Sequence, residues 1–291
     1  MIVGVHGIGQ QQFGRAQLLR DWAPAISDGI EVATGRAPAS LAVDIAFYGN
    51  LFLTKAAGAP KGAMETSAAD LLADLDTAEL SDLDEAVAEI VSAEEVEAAA
   101  GFPPTMGVPH VPSWLQARLR AIDAKFGAAA GVLYVGELRQ VRRYLCHPEL
   151  KAKVDEIVAA KMAVDGISRS RILVGHSLGS VVAWEFVRQH PEHELDLLLT
   201  LGSPLGLRMV RSRLPEQGRE GGVPDQAGRW VNVRDPGDPV ACAGGLAYWW
   251  PGLEDLCVYN GRDDAHSACR YLSKAETGSA ITDAYPRLRA L

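Results

Sequence analysis

An α/β fold with a largely parallel, buried sheet is predicted from three observations. Short runs of β-branched and other apolar residues recur at 2–5, 41–47, 172–174, 197–201, 230–233 and 256–259. Helical patterns separate most of them, an alternation that belongs to a parallel sheet covered by helices on both faces. The residues with chemical potential fall just after the runs, where open α/β sheets bind their ligands.

Taken in order, the first run leads into VHGIGQ, which turns sharply at Gly7 and Gly9. The second ends in GNLFLTKAAGAPKGAM, loop-like in its Gly and Pro content. More than a hundred residues then separate Phe47 from Ile172, several times what one crossover helix needs, so an insertion is expected. Within it, residues 65–99 are rich in Ala, Leu and acids. Leu71, Leu72, Leu75, Leu83, Val87, Ile90 and Val91 fall at the spacing of one or two amphipathic helices. GFPPTMGVPHVP is a proline-rich break. Helical stretches follow near 114–126 and 133–145, and residues 150–164 lead into the third run. Residues 50–145 are therefore read as a helical, acidic cap or lid, and 1–49 with 146–291 as the core.

Composition bounds the function. With 291 residues and 48% hydrophobic content, the chain can bury a substantial core. Its start, MIVGVHGIGQ, has neither the basic nor the long apolar region of a secretory signal. No run approaches the roughly 18 apolar residues of a membrane span, so a cytoplasmic location is expected. Cys146, Cys242, Cys257 and Cys269 form no CxxC pair and no zinc pattern, which suits reduced, buried thiols. A net charge of −9 weighs against nucleic-acid binding. Twelve carboxylates and no Lys or Arg lie between Glu65 and Glu97, leaving 25 acidic against 28 basic residues elsewhere. That segment is a candidate docking surface for a basic protein.

The third run opens the chemistry. In RILVGHSLGSVVAWEFVRQH, a strand pattern passes into a helical one that stops at Pro191, and Ser177 sits in the turn between Gly175 and Gly179. So sharp a turn strains its central residue and needs almost no side chain beside it. It presents the Ser177 hydroxyl next to the free N–H groups of a helix start, an arrangement suited to attack on a carbonyl.

A serine needs a base, and the base an orienting acid. The run at 230–233 is followed by RDPGDPVA and the run at 256–259 by NGRDDAHSACRYL. His266 is the candidate base, since it alone of seven histidines follows the last run. His190 and His193, in QHPEHE, are expected to be solvated at a helix end. His110 and His147 sit in or beside the insertion. Asp238 is the preferred acid, because the longer loop lets it reach back to His266, with Asp235 as the alternative. Asp263 and Asp264 are too near His266 along the chain. Oxyanion donors are expected from the backbone of Leu178 and of Ile8 in the first turn. No metal or cofactor is implied.

Together these segments resemble the serine hydrolases of the α/β-hydrolase superfamily, nearest to bacterial lipases and esterases. Val5-His6-Gly7-Ile8-Gly9 is similar to the oxyanion loop of small lipases and Gly175-His176-Ser177-Leu178-Gly179 to their nucleophile elbow. Leu201-Gly202-Ser203-Pro204 resembles the Gly-Ser/Thr-Pro that follows the next strand, and His266-Ser267 the histidine loop. The resemblance implies an α/β-hydrolase fold of about six strands without the first two of the full fold. The helical insertion before the nucleophile strand matches no cap pattern. The resemblance further implies hydrolysis of a carboxylic ester with an apolar acyl group, through an acyl-enzyme and a Ser-His-Asp triad. A thioester or peptide bond, or a non-catalytic binding role on the same scaffold, are the alternatives.

Overall fold

The computed structural model describes residues 1–7, 10, 13–52, 75–102, 112–163, 171–215, 222–241 and 244–288. Six strands form one sheet: β1 (Ile2–Val5), β2 (Val43–Ala46), β3 (Ile172–His176), β4 (Leu197–Leu201), β5 (Trp230–Arg234) and β6 (Glu254–Cys257). Their order is β2-β1-β3-β4-β5-β6, and every neighbouring pair is parallel. All the carboxyl ends therefore share one edge. Ten α-helices accompany the sheet among the described residues: α1 (Arg15–Thr34), α2 (Thr77–Ala88), α3 (Ala93–Ala98), α4 (Ser113–Phe126), α5 (Ala130–Cys146), α6 (Pro148–Met162), α7 (Leu178–Gln189), α8 (Arg208–Arg211), α9 (Ala268–Leu272) and α10 (Ala275–Ala284). The expected α/β class is thus present.

Side chains alternate across a strand, so each apolar run feeds two cores. Ile2, Ile172, Val174, Leu197, Leu199 and Val231 pack under α1 and α10, against Trp22, Ile26, Ile30 and Ile281. Val3, Val5, Leu173, Leu198 and Trp230 face the opposite layer, with Val181 and Trp184 of α7. This is why the runs are apolar throughout. Each fully buried Leu, Ile or Val contributes about 1.5–3 kcal/mol.

Five helices, α2 to α6, lie between β2 and β3 among the described residues, and the first four fall close to where the sequence predicts the helices of the insertion; Leu71 and Leu72 lie outside the described residues. Their apolar stripes, including Leu83, Val87, Leu115, Leu119, Leu138 and Val141, merge with the second sheet core. The insertion therefore shares its core with the sheet. Capping boxes start α2 (Asp76 with Glu79) and α3 (Ser92 with Glu95), which uses some of the acidic residues to satisfy helix-end amides. Others pair within the chain: Glu79 with Arg139, Asp82 with Arg142 and Arg213, Asp84 with Arg118, Glu85 with Arg208, and Glu95 with Lys125.

Two details depart from the sequence reading. The last strand occupies Glu254–Cys257, two residues earlier than its apolar run. Pairing decides this: the strand registers with β5 from Val231↔Glu254 to Arg234↔Cys257, while Asn232 Nδ2 donates to Asp255 at 2.8 Å and Arg229 Nε to Glu254 at 2.6 Å. The cysteines are not buried as expected. Cys146 at the end of α5 and Cys257 on the edge strand are exposed and Cys269 half-buried, all as free thiols; Cys242 lies outside the described residues. Among the described residues no helix is long and apolar enough to cross a membrane.

Candidate active site

Ser177 joins β3 to α7 with φ 54° and ψ −126°. Among the described residues only Ala129 is another non-glycine with positive φ. Such a backbone costs about 1–3 kcal/mol and persists only where its surroundings over-determine it. Here the Ser177 amide donates to the Leu201 carbonyl at 3.0 Å, and the Ser180 hydroxyl donates to the Ser177 carbonyl at 2.6 Å. A Cβ on Gly179 would overlap the Val5 carbonyl, so only glycine lets α7 approach β1 this closely. The serine itself is fully buried.

Two loops at the same sheet edge bring an acid and a histidine together. Asp238 Oδ2 accepts from His266 Nδ1 at 2.7 Å and from the Tyr271 hydroxyl at 2.8 Å, while Oδ1 accepts from the Val240 amide at 2.9 Å. Burial alone would raise the Asp238 carboxyl; the His266 charge and these hydrogen bonds outweigh it and hold it below the usual range. Asp235 has different work. Its carboxylate accepts the Gly237 and Asn260 amides, and Asn260 Nδ2 donates to the Ala265 carbonyl at 2.8 Å. Asp235 therefore fixes the loop that carries His266, without touching the imidazole. Asp263 and Asp264 form a turn before it, and the exposed Asp264 carboxylate lies 3.9 Å from Arg270 Nε.

Three residues to which the sequence reading assigned no role complete the group. Tyr271 of α9 donates to Asp238 and accepts the Asp235 amide at 2.9 Å, binding the two candidate acids into one loop. His176, the residue before the serine, donates from Nε2 to the His266 carbonyl at 2.8 Å. Burial and the His266 charge lower its pKa to about 3, so its ring is a neutral strut.

The third is Glu137, projecting from α5 of the insertion. Its Oε2 accepts the Ser177 hydroxyl, and its Oε1 lies 3.6 Å from His266 Nε2. That distance suits an ion pair but not a hydrogen bond, and His266 Nε2 makes none. The Glu137 carboxylate thus lies between Ser177 and His266, which share no hydrogen bond with each other. Burial opposes charge on His266, yet Asp238 and Glu137 overcome it and raise the imidazole to about 10.

The first turn lies against this group. A Cβ on Gly7 would come within 2.7 Å of the Ser177 Cβ, so the loop backbone borders the serine. His6 is clamped beside it: the Tyr48 amide donates to His6 Nε2 at 3.1 Å, the Tyr48 hydroxyl donates to the His6 carbonyl, and the rings stack at 4.1 Å. Burial lowers the His6 pKa to about 4. Of the two expected oxyanion donors, Leu178 is the first residue of α7, where helix amides lack intrahelical partners. Ile8 lies outside the described residues. A cleft of about 320 Å³ opens onto Glu137 and His266, walled by Phe13, Trp22, Gly7 and Ser267.

The remaining histidines stand apart. His147 caps the approach to α6 and bonds the Arg143 carbonyl at 2.9 Å, and His110 lies outside the described residues. His190 and His193 are not solvated as expected: both stack on Phe186, and His190 bonds Asp155 and Glu192 at 2.8 and 2.9 Å. Their ligand atoms and that of Glu192 lie within 4.8 Å of one another, but Arg171 sits 3.3 Å from His193 Nδ1, a cation where a metal site would need a carboxylate or carbonyl. No protein family, no curated protein and no solved structure matches the chain.

Proposed function

We propose that the chain is a serine hydrolase of the α/β-hydrolase type, with a helical cap, that cleaves carboxylic esters through an acyl-enzyme. The observation that carries this reading is the strained backbone of Ser177 at the carboxyl edge of the sheet, beside a His266–Asp238 pair at 2.7 Å. Ser177 Oγ attacks the ester carbonyl and its proton passes to His266 Nε2. His266 returns that proton to the departing alcohol, and the same base then activates water to release the acid. Asp238 fixes the tautomer with Nε2 free to act. The Leu178 amide and an amide of the first turn stabilise the oxyanion, each donor contributing about 2.7–4 kcal/mol to the transition state. Phe13 and Trp22 offer the cleft an aromatic wall for an apolar acyl group, while Gln10, Asp21 and Asp264 line it with polar groups.

The test is hydrolysis of p-nitrophenyl esters from acetate to palmitate. Turnover is expected, and Ser177→Ala should lower it by about 10⁴-fold or more with the fold retained by circular dichroism. Turnover that survives this substitution overturns the reading.

A further inference from the structure

Glu137 is not part of the chemistry just proposed, yet it accepts the Ser177 hydroxyl. It sits on α5 between Tyr134 and Val141 on a stripe that is otherwise apolar, with its side chain only 8% exposed. A carboxylate is costly to bury unless paired, and its partners here are the two groups that would have to engage a substrate. One oxygen takes the Ser177 hydroxyl and the other faces His266 Nε2. An acid product would present its own carboxylate to the same two groups on leaving the acyl-enzyme.

Resting on the serine-hydrolase reading, we infer that Glu137 is an internal product mimic. It is a cap-borne carboxylate that fills the acyl position, holds the site closed, and must swing aside for substrate to reach Ser177. The moving part is the side chain rather than the helix. Val135, Leu138 and Val141 of α5 are fully buried, and its outer face is tied to α2 by Arg139 on Glu79 at 3.3 Å and Arg142 on Asp82 at 2.7 Å. The cleft beside the carboxylate supplies the room. The closed arrangement also keeps the base unready. Two carboxylates facing one imidazole, Asp238 at Nδ1 and Glu137 near Nε2, favour its protonated form, which cannot accept the serine proton. Withdrawal of Glu137 removes both obstacles in one motion.

The experiment uses the full chain and compares wild type with Glu137→Gln, Glu137→Ala and Ser177→Ala. The readouts are the rate of covalent labelling by an alkyl fluorophosphonate, which reacts only with a free, activated serine, and kcat/KM for p-nitrophenyl butyrate. Displacing a charged hydrogen-bond partner taxes the competent fraction by about tenfold to a hundredfold. Both rates should therefore rise by that factor in Glu137→Ala and by less in Glu137→Gln, which keeps the shape but loses the charge. Melting temperatures and circular dichroism establish that the variants are folded, and the near-isosteric Gln variant carries the test if Ala does not fold. Equal or slower labelling in a folded Glu137 variant, with Ser177 still labelled in wild type, overturns the gate and leaves the hydrolase reading standing. No labelling and no turnover in any folded variant overturns both.

Discussion

The sheet edge and the insertion each aim a carboxylate at the same imidazole, and they hold it by different means. Asp238 stands on a loop after β5 whose neighbours are fixed by backbone hydrogen bonds and by Tyr271; it is completely buried and its partners account for both oxygens. Glu137 reaches in from a helix, on a side chain with three rotatable bonds, and only side chains receive it. The contrast teaches that burial alone does not assign a role. A carboxylate pinned by a backbone amide and a buried tyrosine hydroxyl is built to stay, whereas one held only by Ser177 and His266 is, on the reading proposed above, built to be displaced.

The largest effect that sharpens this contrast comes from the acids of the sheet edge. Asp238→Asn should cut kcat by about 10⁴-fold, because the amide favours the wrong imidazole tautomer, while the fold is retained. Asp235→Asn should chiefly lower the melting temperature, by weakening the Gly237 and Asn260 anchors, and should cost activity less. The reverse ranking, measured by steady-state kinetics with thermal melts alongside, would break the assignment of Asp238 as orienting acid.

A smaller loss should follow from crowding the edge without changing its chemistry. Gly202 has φ 54°, and a Cβ there would lie 2.9 Å from Asp238 Oδ2 and 3.2 Å from His266 Nδ1. Gly202→Ala must shift one or both groups, and a misplacement of about 1 Å costs on the order of 10²-fold in rate. Wild-type kcat in this variant would mean that the pair tolerates displacement and is less rigid than its hydrogen bonds imply.

The mildest probe is pH. His6 and His176 are buried with pKa values lowered to about 4 and about 3. The unfolded chain, with ordinary histidines near 6.5, binds more protons than the folded one below that pH. Their stabilisation is therefore complete above about 6.5 and is lost as pH falls, on the order of 2 kcal/mol per histidine by pH 5. His266 runs the other way: raised to about 10, it stabilises fully below about 6.5 and loses this as pH rises towards 10. Urea midpoints at pH 5, 7 and 9.5 should peak at the middle value. A midpoint unchanged from pH 7 to 5 would show that the two strut histidines are not held neutral.

Legibility in the sequence followed the same division. Ser177, His266 and Asp238 could be read because each follows a strand run, and the order of strands in the chain matches their order across this half of the sheet. Even the choice between Asp238 and Asp235 could be argued from loop length. Tyr271 and Tyr48 could not, since their roles depend on where a short helix and a loop dock in space. Glu137 did leave a trace: Tyr134, Glu137, Val141 and Tyr144 recur at helical spacing on the buried stripe of α5, and a lone acid on such a stripe marks a site. The trace was masked by the acid-rich segment before it, whose described carboxylates are largely spent on helix caps and ion pairs.

The contacts that join the separate elements of the site span long stretches of chain. Tyr48 meets His6 across 42 positions, Ser177 meets Glu137 across 40, and His266 meets Asp238 across 28. A parallel sheet imposes this, because every pairing waits for a crossover to close, and the entropy of closure precedes its reward. During synthesis the segment bearing Ser177 emerges well before the one bearing His266. On the serine-hydrolase reading, a nascent chain that has completed the β3 to α7 turn stays chemically silent until residues near 266 dock, so activity begins only at the final stage of folding.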